Sequence, residues 1–249
     1  MSPTYIITAA GGNATAIVVL EQPMTRAEYE TRGKQVMSQT ETLRVEQAGF
    51  LIPSENRFEM AGGEFCGNAA RAAAILLVQQ SSGTASFTMS GFAGVVEGTV
   101  QALGSNKYQV ECRFSGMIAT VQPVTTRDLS ATMVDLGGIV HVVVDGMLPT
   151  EYEKMHKTIT TDLGLADRDA VGVIWIDRSK SSVRIHPVVC VRSVDSFFYE
   201  TSCGSGSIAT AAVTGLDTVV QPTGEKIQVG FTNNSVTLKS EMEIVHVMQ

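Results

Sequence analysis

Short runs of β-branched and aromatic residues recur along most of the chain. Such runs, bounded by turn residues, are typical of β-strands. Because turn residues and not helical stretches separate most of them, we expect strands joined as hairpins and not a doubly wound parallel sheet. The clearest predicted strands are Thr15–Leu20, Tyr108–Phe114, His141–Val144, Val183–Val191, Phe197–Tyr199, Lys226–Phe231 and Glu243–Met248.

Four segments have the pattern of helices. Two of them begin at a Thr-x-x-Glu sequence, the signature of a capping box, at Thr25 and Thr150. The other two open with a Cys-Gly pair and continue through alanine-rich sequence, which favours a helix. We predict helices at Arg26–Ser38, Gly67–Gln80, Glu151–Leu163 and Gly204–Thr214, with Gly164 as the C-cap of the third.

The order of these elements occurs twice. Gly11-Gly12-Asn13 is followed by a strand, a proline and the first capping box, and Gly137-Gly138-Ile139 is followed by the same series. Each series continues through a helix, more strands, a Cys-Gly turn and a second helix. We therefore expect an α+β fold with two pseudo-symmetric domains, each a curved, mostly antiparallel sheet around a central helix. We place the domains at residues 1–118 and 119–249, with the last strand, about residues 243–249, packed on the first domain.

Length and charge limit the partners that the chain can have. Its 249 residues suffice for two domains of about 120 residues each. The formal net charge of −7 comes from 18 basic and 25 acidic residues, which argues against a nucleic-acid partner. The uncharged run Tyr5–Leu20 has no basic segment before it and is interrupted by glycines, and Ala72–Val78 is too short to cross a bilayer. We expect a cytoplasmic protein with no membrane partner.

The four cysteines fall into two groups. Cys112 and Cys190 lie within strand-like runs, where a cysteine is usually a small buried apolar residue. Cys66 and Cys203 lie instead in two similar segments, Phe65-Cys66-Gly67-Asn68-Ala69 and Ser202-Cys203-Gly204-Ser205-Gly206, each of which opens a predicted helix. No Cys-x-x-Cys pair occurs, and a chain of this length does not need disulfides to build a core.

The position of these two cysteines indicates their chemistry. The first turn of a helix offers unpaired backbone N–H groups and positive dipole charge, which favour a thiolate and bind a carboxylate. Two such thiols facing one carbon atom could remove a proton from one side and deliver one to the other, as a racemase or epimerase requires. We expect Cys66 and Cys203 to be catalytic, and the backbone around Gly67-Asn68 and Gly204-Ser205 to bind the substrate carboxylate.

At these residues the chain resembles the diaminopimelate epimerase family of cofactor-independent racemases and epimerases. The most specific matches are Glu64-Phe65-Cys66-Gly67-Asn68-Ala69 and Glu200-Thr201-Ser202-Cys203-Gly204-Ser205-Gly206. The resemblance implies the diaminopimelate epimerase-like fold, no cofactor, and substrate contacts from Asn13 and Gln47. The chain also departs from that family. It has Gly138-Ile139-Val140-His141 in place of Gly-Asn-Pro-His and no arginine beside Glu200, so diaminopimelate should bind poorly.

A narrower resemblance joins the chain to the histidine racemases that supply D-histidine for staphylopine-type metallophores. It rests on Val45-Glu46-Gln47-x-Gly49-Phe50, Val171-Gly172 and the two Cys-Gly segments. It implies L-histidine as the small-molecule substrate. Asn13, Gln47 and Glu200 are then candidates for holding the α-amino group. Glu46 is either a partner of the imidazole N–H or a solvated charge at a strand edge.

Several questions stay open at the level of sequence. The four histidines, His141, His156, His186 and His246, are scattered and indicate core or surface positions and no metal site. Another racemase or epimerase of the same fold, diaminopimelate epimerase included, is the main alternative function. A non-catalytic amino-acid-binding protein is a second alternative, against which the intact cysteine pair argues. A homodimer is one possible assembly.

Overall fold

The computed structural model describes residues 3–126, 129–179 and 181–249, and strands dominate these ranges. The four helices are α1 (Arg26–Gln39), α2 (Gly67–Leu77), α3 (Tyr152–Asp162) and α4 (Gly204–Thr214). The strands are β1 (Thr4–Ala9), β2 (Gly12–Val19), β3 (Val45–Ile52), β4 (Arg57–Met60), β5 (Gly83–Met89), β6 (Phe92–Gly104), β7 (Lys107–Ser115), β8 (Thr120–Thr126), β9 (Leu129–Asp135), β10 (Val140–Asp145), β11 (Ala170–Arg178), β12 (Val183–Val191), β13 (Ser196–Tyr199), β14 (Thr218–Val220), β15 (Lys226–Thr232) and β16 (Ser235–Met248).

Eight of the strands close into a barrel. Strands β1 to β7 follow one another in the sheet, β7 pairs with β16, and β16 pairs back with β1. Helix α2 lies inside this barrel, where it contacts β1, β2, β4 to β7 and β16. The first cysteine turn is therefore held within a closed wall of strands.

The remaining strands continue from the other edge of β16. Residues 235–239 of β16 pair with β15 as well as with β7, and the sheet runs on through β14, β12, β11, β10, β9 and β8. Strand β13 pairs with β12 along the same edge as β14. Helix α4 contacts β9 to β12 and β14 to β16. The long strand β16 thus lies between the strands that surround α2 and those that cover α4.

The mixed helix and strand content agrees with the sequence prediction. Most strand pairs are antiparallel, while β2–β3, β4–β5, β10–β11 and β12–β14 are parallel. The sheet is continuous through β7, β16 and β15. Its division into two domains at residues 118 and 119 stays a prediction.

The predicted helices match the structure closely: α1 ends one residue later than predicted, α3 is one residue shorter at each end, and α2 differs most. The capping box at Thr25 is present, and α4 has the predicted bounds. Helix α2 ends at Leu77 and not at Gln80, because Gln79 and Gln80 adopt positive φ angles of 54° and 61°.

The second predicted capping box is wrong. Helix α3 begins at Tyr152, and its N-cap is Glu151, which makes no side-chain capping hydrogen bond. Glu153 is consequently the second helical residue and not the third, so it does not stand where it could bond back to Thr150. Gly164, two residues beyond the helix, has the expected positive φ of 66°.

The alanine content of α2 fits its position inside the barrel. Residues 67–75 are all buried. The helix approaches β6 so closely that a Cβ on Gly98 would lie 2.6 Å from the Cβ of Ala74. Small side chains allow a helix to fit within a ring of strands at normal packing density. In the part of the chain that the structure describes, no helix has the length and apolar character needed to cross a membrane.

Candidate active site

The two Cys-Gly turns have the same local geometry. Cys66 is the N-cap of α2 and Cys203 is the N-cap of α4, both with extended backbone. The backbone N–H of Ala69 donates to Cys66 Sγ at 3.4 Å, and that of Gly206 donates to Cys203 Sγ at 3.2 Å. Each sulfur thus takes the place of the side-chain oxygen that usually caps a helix.

The two turns are in direct contact. A Cβ on Gly67 would lie 3.5 Å from Gly204 Cα, and a Cβ on Gly204 would lie 3.1 Å from the carbonyl carbon of Gly67. The side-chain amide of Asn68 donates to the carbonyl oxygen of Ser202 at 3.0 Å. Glycine at both positions lets the N-termini of the two helices approach each other without a side chain between them.

Both sulfurs are weak acids in this structure, although Cys66 as a whole residue is partly exposed while Cys203 is buried. Burial raises the pKa of Cys66 to about 12, although the Ala69 amide opposes the shift. The pKa of Cys203 also lies well above its usual range, because of burial and then the negative charge of Glu200. In this structure desolvation therefore outweighs the effect of the helix dipole on the pKa of both thiols.

Glu200 is the ionisable group beside Cys203. It directly follows β13, where its backbone N–H donates to the Pro187 carbonyl at 2.9 Å. Burial and the nearby charge of Glu46 raise the pKa of Glu200 to about 8, while contacts with the side chains of Cys203 and Asn13 oppose the rise. A carboxyl group with this pKa can exchange a proton with the thiol near neutral pH.

Gln47 and Asn13 form a polar network next to Cys66. The Cys66 thiol donates to Gln47 Oε1 at 3.2 Å, and Gln47 Nε2 donates to Asn13 Oδ1 and to Thr15 Oγ1. Asn13 is buried and has a φ of 48°, a left-handed conformation that asparagine tolerates better than most residues. The structure thus brings both predicted residues to the first cysteine.

Glu46 joins this network from the same strand. Its Oε1 accepts from Thr201 Oγ1 at 2.6 Å and its Oε2 accepts from Asn13 Nδ2 at 3.2 Å. Thr201 Oγ1 also accepts from the Asn13 backbone N–H at 2.7 Å. Burial raises the pKa of Glu46. Two hydrogen bonds and partial burial argue against a solvated charge at a strand edge; contact with a substrate stays a prediction.

Glu64 is a neighbouring group that the sequence prediction did not single out. It is buried, and its Oε2 has no hydrogen-bond partner among the described residues. Burial raises the pKa of Glu64 to about 7. The sequence did contain a signal for Glu64: it precedes Cys66 by two residues, much as the predicted site residue Glu200 precedes Cys203 by three.

His141 was interpreted as a core or surface residue, and it is fully buried. Its Nε2 lies 2.9 Å from Ser205 Oγ, which in turn lies 3.6 Å from Cys203 Sγ. Burial lowers the pKa of His141 to about 3, so the ring is neutral. The neutral ring therefore holds the Ser205 hydroxyl next to Cys203 through this hydrogen bond. Across residues 3–126, 129–179 and 181–249, no group of three or more metal-ligating side chains lies together.

The remaining cysteines differ from one another. Cys112 on β7 is fully buried, as predicted. Cys190 on β12 is partly exposed, so its interpretation as a buried residue is wrong.

A small cavity of about 20 Å³ lies among the polar residues of the site. Three carboxyl groups and one amide line it, together with apolar side chains: Glu46, Glu64, Glu200, Gln47, Met37, Val189, Val191 and Phe198. This volume holds about one water molecule. Glu64 also lines an outer cleft of about 250 Å³ between residues 62–64, 137–139 and 167–170. Glu64 thus lies between the outer cleft and the buried site.

Solved structures with the same fold come from several bacteria. A predicted epimerase from Pseudomonas aeruginosa superposes with a TM-score of 0.68 and 12% identity, covering 100% of this chain and 99% of that one. A phenazine biosynthesis PhzC/PhzF protein from Clostridium difficile (strain 630) has a TM-score of 0.59 and 13% identity at the same coverage. At these identities the likeness establishes the fold alone.

Sequence comparison identifies closer relatives. Two proteins of Fusobacterium nucleatum subsp. nucleatum named histidine racemase are similar to the chain. That of strain ATCC 23726 is 29% identical over 226 residues, covering 85% of this chain and 83% of the relative. That of strain ATCC 25586 is 28% identical over 184 residues, covering 71% and 67%. The family model described as the histidine racemase CntK N-terminal domain matches residues 4–246. Because this match spans nearly the whole chain, the protein belongs to that family and is an isomerase of the racemase type.

Proposed function

We propose that the enzyme interconverts L- and D-histidine with a pair of cysteines and without a cofactor. The observation that carries the proposal is the direct contact between the turns that follow Cys66 and Cys203, at the N-termini of two buried helices. The names of the two Fusobacterium relatives support histidine as the substrate.

In the proposed reaction each cysteine serves one face of the α-carbon. Glu200 accepts the proton of Cys203, and the resulting thiolate removes the α-proton of one enantiomer. Cys66, as a thiol held by Gln47, delivers its proton to the opposite face. The two roles exchange in the reverse direction, since the starting enantiomer then presents its α-hydrogen to Cys66.

The backbone of the two helix N-termini binds the substrate carboxylate in this scheme. The first amides of each helix, near Gly67-Asn68 and Gly204-Ser205, have no intrahelical acceptor. Removal of the α-proton spreads negative charge into the carboxylate, which these amides and the helix dipoles stabilise. One well-placed donor of this kind contributes about 3 kcal/mol to transition-state binding.

Three carboxyl groups line the cavity, and histidine offers two kinds of hydrogen-bond donor to them, its α-ammonium group and its imidazole N–H. We assign Glu200, with Asn13 and Gln47, to the α-ammonium group, and Glu46 to the imidazole N–H. Both assignments follow from charge and from hydrogen-bonding capacity. Diaminopimelate, with a second carboxylate, would meet the negative charges of Glu46 and Glu64.

Substrate entry requires the site to open, because the cavity of about 20 Å³ cannot hold an imidazole ring. We propose that the barrel, formed by residues 1–118 with the end of β16, and the part formed by residues 119–234 move apart as domains, with β16 as the connection between them. Contacts that must then break include the bond from Ser193 Oγ to the Gly62 carbonyl, at 3.2 Å, which borders the outer cleft. Closure would expel water and strengthen the polar contacts.

We further propose that the product supports the biosynthesis of an opine-type metallophore in the cytoplasm. This extension rests on the resemblance of the motifs Val45–Phe50 and Glu200–Gly206 to histidine racemases of that pathway. It would be tested by deleting the gene and supplying D-histidine. Restored metallophore production would support it, and no effect of the deletion on metallophore would contradict it.

The enzymatic test is racemisation of a panel of L-amino acids by the purified protein without added cofactor. Chiral chromatography should detect D-histidine, with little turnover of diaminopimelate. Cys66→Ser and Cys203→Ser should each lower kcat by at least about 100-fold. The matched control is Cys190→Ser, which alters a partly exposed cysteine of β12 and should keep activity. Equal turnover of diaminopimelate and histidine would defeat the substrate assignment, and an active single serine variant would defeat the mechanism.

A further inference from the structure

Of the side chains that the structure describes, Arg71 is the largest that is completely buried. It lies in α2, five residues after Cys66, inside the closed barrel. Its Nη2 donates to Asn68 Oδ1. Among the described residues, its Nε and Nη1 have no hydrogen-bond partner, and no carboxylate lies within ion-pair distance of it.

A guanidinium buried without a carboxylate destabilises a folded protein, because desolvation of the charge is not compensated. Evolution usually keeps such a group only where its charge is used. Burial lowers the pKa of Arg71 to about 10, so the side chain still carries its positive charge at neutral pH. The charge therefore needs a negative partner that forms during function.

The ionisable groups that interact electrostatically with Arg71 are cysteines, and its hydrogen bond to Asn68 connects it to both cysteine turns. The electrostatic partners of Arg71 are, in order of strength, Cys112 on β7, Cys66 and Cys203. Two of these three are the N-caps of α2 and α4. The remaining one, Cys112, lies on β7 in the wall of the barrel.

The other ionisable groups around these sulfurs oppose a thiolate. Glu200 and Glu64 face Cys66. Glu200 also faces Cys203, and Glu111 faces Cys112. Either reacting thiolate would thus form in a dry site beside carboxyl groups, and a buried positive charge would offset both effects.

We propose that Arg71 is the counter-charge of the two reacting cysteines: its guanidinium stabilises the thiolate of Cys66 or Cys203 and positions Asn68 between the two turns. This inference rests on the two-thiol racemase function proposed above. Arg71 acts through Asn68 as well as through its charge, because Asn68 accepts from Arg71 and donates to Ser202 on the other turn. It is a positioning residue and touches no substrate.

Arginine suits this role better than lysine. A guanidinium keeps its proton under almost all conditions, whereas a lysine buried without a partner loses its charge. The planar group can also bond Asn68 with one nitrogen while Nε and Nη1 keep their hydrogens free of other partners within the described ranges.

The test compares two neutral variants, Arg71→Met and Arg71→Gln. Both remove the charge, and the glutamine can still donate to Asn68. The matched control is Arg113→Met on β7, which removes an exposed arginine next to Cys112 in sequence. The rate at which neutral iodoacetamide alkylates each cysteine reports its thiolate fraction, and peptide mass spectrometry reads each site separately. Cys190 is partly exposed and serves as an internal reference.

We expect both Arg71 variants to alkylate Cys66 about three- to tenfold more slowly at fixed pH. Loss of the positive charge should raise the pKa of Cys66 by about one to two units, which lowers its thiolate fraction about ten- to hundredfold. The remaining thiolate is more nucleophilic, so the alkylation rate falls by the smaller factor of about three to ten. The acid limb of kcat/KM should move to higher pH by about one unit. Cys190 should react as in the wild type, and Arg113→Met should change neither readout.

Unchanged alkylation of Cys66 in both neutral variants would overturn the proposal, even if activity fell. An equal effect of Arg113→Met would do the same. Failure of both neutral variants to fold would also overturn it, because a structural role would then explain the buried charge. Alkylation needs no substrate, so this result is independent of whether histidine is the substrate.

Discussion

The side-chain amide of Asn68 donates a hydrogen bond of 3.0 Å to the backbone carbonyl of Ser202, 134 positions away in the sequence. Asn68 lies in the first turn of α2, and Ser202 immediately precedes Cys203. This one bond therefore fixes the second cysteine turn against the first. The account of catalysis depends on that arrangement.

Replacement of this asparagine should weaken both stability and activity. Asn68→Ala leaves the buried Ser202 carbonyl without its donor, which costs about 1–3 kcal/mol of the free energy of unfolding. We expect kcat to fall about tenfold or more, because the two turns lose their alignment. Urea unfolding and steady-state kinetics measure the two effects. Asn233→Ala, in an exposed turn, is the control and should change neither. Full activity in Asn68→Ala would contradict the role of the bond.

The contact between the two turns also predicts a redox response. Mild oxidation should join Cys66 to Cys203, since both sulfurs lie where the helix N-termini meet and a disulfide needs closely approaching cysteines. Activity should be lost, and a thiol reductant should restore it. Peptide mass spectrometry would identify the cross-link. Oxidative inactivation with both of these cysteines unlinked would argue against their proximity.

Local sequence predicted much of this site. The Cys-Gly turns and the alanine-rich helices that follow them are local patterns, and both helices begin at the expected residue. The closed barrel depends on the pairing of β1 with β16, as between Thr4 and Met248. The last strand was predicted to pack on the first domain, but no local pattern identified β1 as its partner. The second capping box was predicted with Thr150 as the N-cap, but the N-cap is Glu151, one residue later. The Thr-x-x-Glu sequence alone does not determine at which of these residues the helix begins.

Charged residues account for most of what the sequence did not reveal. Glu64 and Arg71 are buried, whereas glutamate and arginine usually lie at the surface. Thr201 and His141 support the site only through contacts across large sequence separations. Such roles follow from the closed barrel, so they could be recognised only once the strand order was known.

The buried carboxyl of Glu64 predicts how stability depends on pH. Its pKa is raised from 4.5 to about 7 in the folded chain, so the folded state holds a proton that the unfolded state releases. The free energy of unfolding should therefore fall as pH rises from 4.5 to about 7, by up to about 3 kcal/mol from this group. Glu200, with a pKa of about 8, extends the fall to higher pH.

Glu64→Gln provides the direct check of this pH dependence. The neutral amide does not ionise, so urea unfolding should show a flatter pH profile, and the variant should gain stability over the wild type at pH 8 relative to pH 5. Glu55→Gln changes a carboxylate that is exposed, and it should leave the slope unaltered. Identical slopes in Glu64→Gln and the wild type would contradict the assignment.

The proposed contact of Glu46 with imidazole predicts a selective loss of affinity. Glu46→Gln keeps the shape of the side chain and removes its charge, so a charged hydrogen bond worth about 1.5–3 kcal/mol is weakened. Calorimetry should show at least about tenfold weaker binding of L-histidine, with a smaller change for L-leucine. Glu41→Gln, an exposed neighbour in sequence, is the control. Equal losses for both ligands would assign Glu46 to the α-amino group instead.

The most direct test of the paired-cysteine mechanism is racemisation of L-histidine in heavy water, followed by mass spectrometry of each enantiomer at early times. A thiol carries a single hydrogen, so a proton removed by one cysteine returns to the same face as the original isotope when its return is faster than exchange of that thiol with Glu200 or solvent. The account predicts that newly formed D-histidine carries solvent deuterium at Cα while the remaining L-histidine carries none. Deuterium entering L-histidine as fast as D-histidine forms would show that one base serves both faces, and would contradict the account.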